Sequence, residues 1–577
     1  MKRIYKTLRW SILSMCMLIV CSCSDSLDET NISPNTLPEN KIDIGFVLTN
    51  VLTSTAKNDA DTNYKAREVS AGSQYLQRDN VDFYSFYFVW DTKNFNSFYP
   101  ILTNSKYIYD RAETEKEGDE KKYYQAVSLI MKSYTYGFLT STFGDIPYSE
   151  AINGEERGDA FVPKYDTQES IFLGILSDLS TANDMLKGVG TIGAASNTDV
   201  VFQGDGQKWR KFANSLRLRY CMRLSEKTLS GLDPSAEIAS IVNNPAENPI
   251  MTDISDNAAV KWIGSASDNS FPGGPLSYTF RSEFYRRKPS ATIVKDLIQL
   301  NDPRLTKWIR PVDVQIFPGA SDNVDIVDGA VRRYTTVDID ARNSDSDLTN
   351  DINTSLFVGL GVALSAPNDY NMGNTVTDVR SGIAALNPDI YLGDSSNPHI
   401  SYLTNIYSEN ANELSATMFM SSAETQFILA EASQRGWISG NPMDYYLSGI
   451  EKSFERWQIA DGASAAVYDE GNNSLVAFDK TSYMANAQAI YTNAADKMEP
   501  IMHQKWIAGW LTAEAWFDWR RTGLPELEKN VIEGAQGQDI PKRQILSDPF
   551  NQDNLTEAVG RLQPAINDQW SLMWLLQ

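Results

Sequence analysis

Residues 421–457 read "SSAETQFILAEASQRGWISGNPMDYYLSGIEKSFERW", two helical stretches with the punctuation between them. Gly436 stops the first, since glycine adopts the left-handed backbone that ends a helix without steric penalty. Asn441-Pro442 starts the second. Asparagine suits the N-cap, and proline at the first helical position forfeits no intrahelical hydrogen bond. The result is a helix, a tight turn and a helix. Neither helix can bury its apolar face alone.

The same texture recurs in both directions along the chain. "DIGFVLTNVLTST" (43–55) spaces Ile44, Val47, Leu48 and Val51 on one helical face, and "NFNSFYPILTNSKYI" (94–108) does the same with Phe95, Phe98, Tyr99 and Leu102. Further helices are predicted over "KKYYQAVSLIMKSYTYGFLTSTFG" (121–144), "TQESIFLGILSDLSTANDML" (167–186), "QKWRKFANSLRLRYCMRLSEK" (207–227) and "IMHQKWIAGWLTAEAWFDWRRTG" (501–523). Stacked pairs of this kind suggest tetratricopeptide-like hairpins, degenerate because no strict 34-residue period is kept. The fold class is therefore mostly α, with scaffold helices over about 41–244, 289–310 and 416–530 in a single body spanning 41–577. Residues 245–288 and 311–415 are rich in Asn, Asp, Ser, Gly and Pro, and read as a long loop-rich, irregular region of the kind that carries function. Within it "TTVDIDARNSDSDLTNDIN" (335–353) lacks the glycine and the terminal glutamate of a calcium loop and reads as an acidic surface loop.

The N-terminus has another logic. Lys2, Arg3, Lys6 and Arg9 precede a short apolar run from Trp10 to Val20, the layout of a signal peptide rather than of a span of roughly 20 apolar residues. The run ends in Val20-Cys21-Ser22-Cys23, which resembles the lipobox of bacterial lipoproteins, with small Ser22 preceding Cys23. Residues 1–22 are then a lipoprotein signal peptide, Cys23 the lipidated residue, and 23–40 a polar, proline-bearing flexible tether. The alternative is a soluble secreted protein with ordinary signal cleavage.

Composition removes whole classes of function. A net charge of −23 argues against nucleic acid and against electrostatic capture of anionic polymers. With only His399 and His503, sites built on several imidazoles are excluded, and neither HExxH, CxxC, a phosphate loop nor a GxSxG elbow occurs. No catalytic residue, cofactor or metal ligand is assigned. Behind the signal segment and the lipidated Cys23, Cys221 is the one remaining cysteine, so there is no disulfide framework.

Several segments together resemble the SusD/RagB family of outer-membrane nutrient-binding lipoproteins. They are the turn Gly144, Asp145, Pro147, Tyr148; the element Asn301–Leu305 in "LIQLNDPRL"; the Ala430-Glu431-Ala432 helix; the ending "WFDWRRTGLP" (516–525); and, more loosely, "IPKRQILSDPFNQDN" (540–554). The likeness runs in order from Cys23 to the end. It implies four degenerate tetratricopeptide units, an irregular ligand-binding region, and a partner, the SusC-like TonB-dependent transporter. It also implies a surface-exposed, lipid-anchored protein of the outer membrane that captures an oligosaccharide, or in some members an oligopeptide, without chemistry. The motif residues themselves read as scaffold: Trp506, Trp510 and Phe517 as core, Arg520 and Arg521 as cations suited to a helix C-terminus, and Asp145 and Asp302 as turn formers.

Sugar recognition needs flat apolar faces beside amide and carboxylate groups, on loops held by a rigid frame. Two stretches offer both. "NVDFYSFYFVWDTKN" (80–94) has Tyr84, Tyr87, Trp90, Asp91 and Asn94, and "KWIGSASDNSFPGGPLSYTF" (261–280) has Trp262, Asp268, Asn269, Phe271 and Tyr278. Tyr370, in "PNDYNMGN", is a third candidate. For each the alternative is a side chain that packs its loop onto the helices. At the level of the whole protein the alternatives are a surface glycoside hydrolase working through two carboxylates, and a structural subunit that closes the transporter without binding tightly.

Overall fold

The computed structural model describes residues 42–64, 69–80, 95–153, 162–278, 280–344, 348–362, 364–393, 396–528 and 540–577. Helices dominate its first half: α1 (Ile44–Tyr64), α2 (Tyr99–Glu115), α3 (Gly118–Phe143), α4 (Gln168–Met185), α5 (Gly206–Arg223) and α6 (Pro234–Asn243). Their starts are written in the sequence. Thr167 accepts a hydrogen bond from Ser170 N at the head of α4, and Asp205 and Asp233 cap α5 and α6. The apolar faces of α1–α6 meet in one continuous core. Close approach is built in at Gly137 of α3, where a Cβ would stand 2.2 Å from the Tyr220 hydroxyl of α5.

After α7 (Ala291–Gln299) and α8 (Val376–Leu386) come α9 (Ser422–Gln434) and α10 (Pro442–Arg456), the hairpin predicted over 421–457. Ser421 caps α9, Asn441 caps α10, and Gly436 takes φ +74° between them. With α11 (Lys480–Asn493), α12 (Met498–Ala508) and α13 (Glu514–Thr522) they enclose a second core, in which Trp308, Trp457, Trp506, Trp510 and Trp516 are all buried. The mostly α, tetratricopeptide-like class holds. The last helix, α14 (Gln552–Gly560), belongs to a closing stretch, 540–577, that returns to the first core. There Gln544 N donates to the Thr142 carbonyl (3.0 Å) and Leu575 N to Gln168 Oε1 (2.8 Å).

The strands are short: β1 (Leu76–Arg78), β2 (Ala258–Val260), β3 (Arg287–Pro289), β4 (Gln315–Pro318), β5 (Asn323–Val327), β6 (Ala330–Thr335), β7 (Thr417–Met420), β8 (Gly462–Asp469) and β9 (Ser474–Phe478). β1 pairs antiparallel with β3 and β2 with β7, while β4 runs parallel and β5 antiparallel to β6. Region 311–415 is therefore less irregular than its composition suggests. Val314, Val331 and Ile383 form a small core between the β4–β6–β5 sheet and α8, and two further apolar clusters lie beside it.

Buried ion pairs and hydrogen bonds join the two cores, with the family-like motif residues Glu431, Asp518, Arg520 and Arg521 among their members. Arg219 of α5 binds both carboxylate oxygens of Glu424 on α9 (2.6 and 2.7 Å), and Lys505 of α12 pairs with Asp518 of α13 (2.7 Å). Arg520 and Arg521 do more than close a helix. Arg520 donates to the carbonyls of Ser141 and Lys542, and Arg521 reaches Glu431. Asp302 is likewise more than a turn former, because it is fully buried against Arg304 (2.6 Å).

Candidate functional site

An open cavity of about 530 Å³ lies between the C-terminal half of α1 and the segment 267–287. Lys57 and Asp61 line it from the helix. Ser267, Asp268, Ser270, Ser277, Tyr278 and Phe280 line it from the loop, and Glu283 and Arg287 close it. The volume falls within the range of roughly 300–1,000 Å³ common to small-molecule sites.

The loop holds its shape through its own polar groups and one aromatic root. Asn269 Oδ1 accepts from Ser265 N and Ala266 N (both 2.9 Å), and its carbonyl accepts from Ile263 N and Gly264 N (3.0 and 2.9 Å). Phe271 is buried, its ring 4.7 Å from Tyr64, 5.9 Å from Tyr407 and 6.2 Å from Trp262. Gly273 lets the chain lie against the 407–410 segment, since a Cβ there would be 2.0 Å from the Tyr407 carbonyl.

The charges in the cleft are paired. Lys57 meets Asp268 at 3.2 Å on the exposed rim, and Glu283 takes Arg78 at 3.2 Å and Arg287 at 3.6 Å. Arg287 is buried, stacked 4.7 Å over the Tyr64 ring, yet its Nε and Nη1 have no hydrogen-bond partner. The indole Nε1 of Trp262, half-buried behind the loop, also lacks one. Burial pushes the Tyr278 hydroxyl pKa up, and that of Tyr64 up to about 12, so both stay neutral hydrogen-bonding groups. Around this polar floor the large apolar side chains are turned outward. Ile263 is 73% exposed, Phe280 66% and Leu276 46%, a concentration that water alone does not favour.

The structure separates the sequence candidates. Trp262, Asn269, Phe271 and Tyr278 come together in one loop, with Tyr278 in the cavity, Trp262 behind it, and Asn269 and Phe271 occupied in shaping it. Tyr370 is buried in a separate cluster with Val358 and Leu360, its carbonyl accepting from Asn397 (2.7 Å), so its ring packs the 311–415 region instead of meeting this cleft. Tyr84, Tyr87, Trp90 and Asn94 lie outside the described residues, as do Cys23 and the tether. Lys57, Phe280, Glu283 and Arg287 were not anticipated. Phe280 ends the quoted stretch, whereas Arg287 in "YRRKPS" carries no local signal and is brought in by the β1–β3 pairing.

The histidines serve structure. His399 is buried, its Nδ1 2.7 Å from the Val314 carbonyl and its Nε2 3.1 Å from Arg333 Nη1, and burial holds its pKa down near 3. His503 pairs with Asp296 at 2.9 Å. No described helix is long and apolar enough to cross a membrane.

Comparison with known proteins gives one consistent picture. A SusD-like family model, described as starch-binding and associating with the outer membrane, matches residues 34–316 and 312–546. Among solved structures, a SusD homolog from Bacteroides fragilis shares 22% identity with a TM-score of 0.64, over 93% of this chain and all of its own. A chitin-binding protein shares 21% at a TM-score of 0.66, over 92% of this chain and 99% of its own. A SusD homolog from Bacteroides ovatus shares 17% at 0.61, over 92% and 98%. No curated protein matches.

Proposed function

This chain belongs to the SusD-like family of starch-binding proteins that associate with the outer membrane, and on that premise we propose that it captures a neutral oligosaccharide in the 262–287 cleft. The captured oligomer passes unaltered to a SusC-like TonB-dependent transporter, and the protein is held at the cell surface by a lipid on Cys23. The carrying observation is the pair of unpartnered Arg287 donors, Nε and Nη1, in a cavity rimmed by Tyr278 and Phe280. A buried N–H without a partner costs about 1–3 kcal/mol, which a ligand hydroxyl or ring oxygen restores. Phe280 and Tyr278 offer surface to the C–H faces of the sugar ring. The pairing of Lys57 with Asp268 and of Glu283 with Arg78 and Arg287 leaves little excess charge for an ionic ligand. Capture of this kind needs no nucleophile or general base, which agrees with the burial of His399.

Calorimetry on protein lacking residues 1–23, with malto- and chito-oligosaccharides and oligopeptides as ligands, tests the reading. Chitin oligomers enter the panel because a protein of the same fold is described as chitin-binding. Saturable binding to one sugar series, weakened about tenfold by Tyr278→Ala or Phe280→Ala, is expected. Binding of peptides alone, or hydrolysis of the sugar, would overturn it. Co-purification of the full chain with a barrel transporter, lost on Cys23→Ala only at the level of the anchor, tests delivery and localisation.

A further inference from the structure

A second cavity, of about 390 Å³, lies between α2, α3 and the turn at 148–153, formed by elements other than those of the cleft. Tyr109, Tyr136 and Tyr148 line it together with Lys132 and Asn153. Tyr136 is 1% exposed, and its hydroxyl is buried with no hydrogen-bond partner. Three nearby hydroxyls donate elsewhere. Ser128 Oγ donates to the Tyr124 carbonyl (2.8 Å), Ser149 Oγ to Asp166 (2.8 Å), and the Tyr99 hydroxyl to the Pro147 carbonyl (2.7 Å).

The walls are aromatic and net neutral. The Tyr136 and Tyr148 rings meet edge to face at 4.7 Å, and Lys132 Nζ lies 5.9 Å from the Tyr148 ring while pairing with Asp178 at 2.8 Å. At the rim Ile152 stands at φ +59°, a left-handed conformation that β-branched residues rarely adopt. Such strain persists where the surrounding structure imposes it, and it gathers at ligand sites. The turn that carries it is tied down by Asp166, which accepts from Tyr148 N and Ser149 N (3.1 and 2.7 Å).

We propose that this cavity is a second, separate site for a small neutral polyhydroxylated ligand of one or two sugar rings, held through the Tyr136 hydroxyl and the Tyr148 and Tyr109 rings. An anion is disfavoured because Lys132 is already neutralised by Asp178. A large apolar ligand is disfavoured because it would leave the Tyr136 hydroxyl unpaired. The volume lies at the small end of the range for ligand pockets, roughly 300–1,000 Å³, so a long oligomer does not fit.

Saturation-transfer NMR with glucose, maltose, N-acetylglucosamine and chitobiose tests the site in a Tyr278→Ala/Phe280→Ala background, where the cleft is disabled. At least one of these sugars is expected to receive saturation still. Tyr136→Phe, which removes only the hydroxyl, and Asn153→Trp, which fills the mouth, are each expected to reduce the transfer by about fivefold or more at unchanged melting temperature. Absence of transfer to all four sugars in that background, or transfer indifferent to both substitutions, would overturn the proposal. Failure of the cleft reading shows differently: long oligosaccharides would then bind wild-type protein regardless of Tyr278 and Phe280, or not at all.

Discussion

Arg521 of α13 grips Glu431 of α9 with both terminal nitrogens, Nη1 and Nη2 lying 2.6 and 2.8 Å from the two carboxylate oxygens, and neither side chain is more than 4% exposed. Desolvation pushes the Glu431 carboxyl up, and Arg521 and then Lys505 outweigh it, so the pKa ends below the usual glutamate range. Glu431→Gln leaves Arg521 only Asp518 as a carboxylate partner, and urea denaturation is expected to show a loss of about 3–5 kcal/mol. Replacing both partners with methionine is expected to recover part of that loss. Full loss in the double variant would refute the assignment to an uncompensated buried charge.

Asp59 sits in the same interior with the opposite sign. Burial pushes its pKa from 3.8 to about 7, against the opposing pull of the Tyr134 hydroxyl (2.5 Å) and Arg219. The folded protein holds this proton to about pH 7, while the unfolded chain releases it near 3.8. Between those values the folded state binds more protons, so this residue's contribution to stability falls as pH rises and is gone above about 7. The difference in melting temperature between wild type and Asp59→Asn, measured from pH 5 to 8, is expected to shift in favour of the variant up to about pH 7 and then level off. An invariant difference would refute the raised pKa.

Gly273 governs the cleft from behind. Alanine there places a methyl 2.0 Å from the Tyr407 carbonyl and forces the loop off the 407–410 segment. A cost of about 1–3 kcal/mol is expected, together with weaker sugar binding. Unchanged affinity in Gly273→Ala would mean that the loop's seating does not shape the site.

Salt separates neutral from charged ligands. Screening shortens the Debye length to about 3 Å at 1 M, so the affinity for a neutral oligosaccharide is expected to hold across this range. A peptide held through Lys57, Asp268 or Glu283 would instead weaken severalfold. Titration at low and high salt decides.

The 421–457 hairpin was legible because its signals are local: a glycine stop, then Asn-Pro. The β4–β6–β5 sheet was not. In β6 the buried residues Val331, Arg333 and Thr335 alternate as a strand requires, but an arginine in the series hides the apolar pattern; the parallel β4–β6 pairing leaves no turn signature, and Asp328-Gly329 between β5 and β6 is the one local hairpin signal. The cleft shows the same limit. Trp262, Phe271 and Tyr278 are equally aromatic within one loop, and which ring turns inward is decided by Tyr64 and Tyr407, far away in the chain. Arg287 entered through a pairing with β1 some two hundred residues upstream, a relation no local window contains.

The return of residues 540–577 onto α3 and α4 imposes an order of events. The bond from Leu575 to Gln168 spans almost the whole distance between the first core and the final residues, and contacts of such separation form slowly. The seal that residues 540–577 place on α3 and α4 is therefore among the slowest contacts of the fold to form.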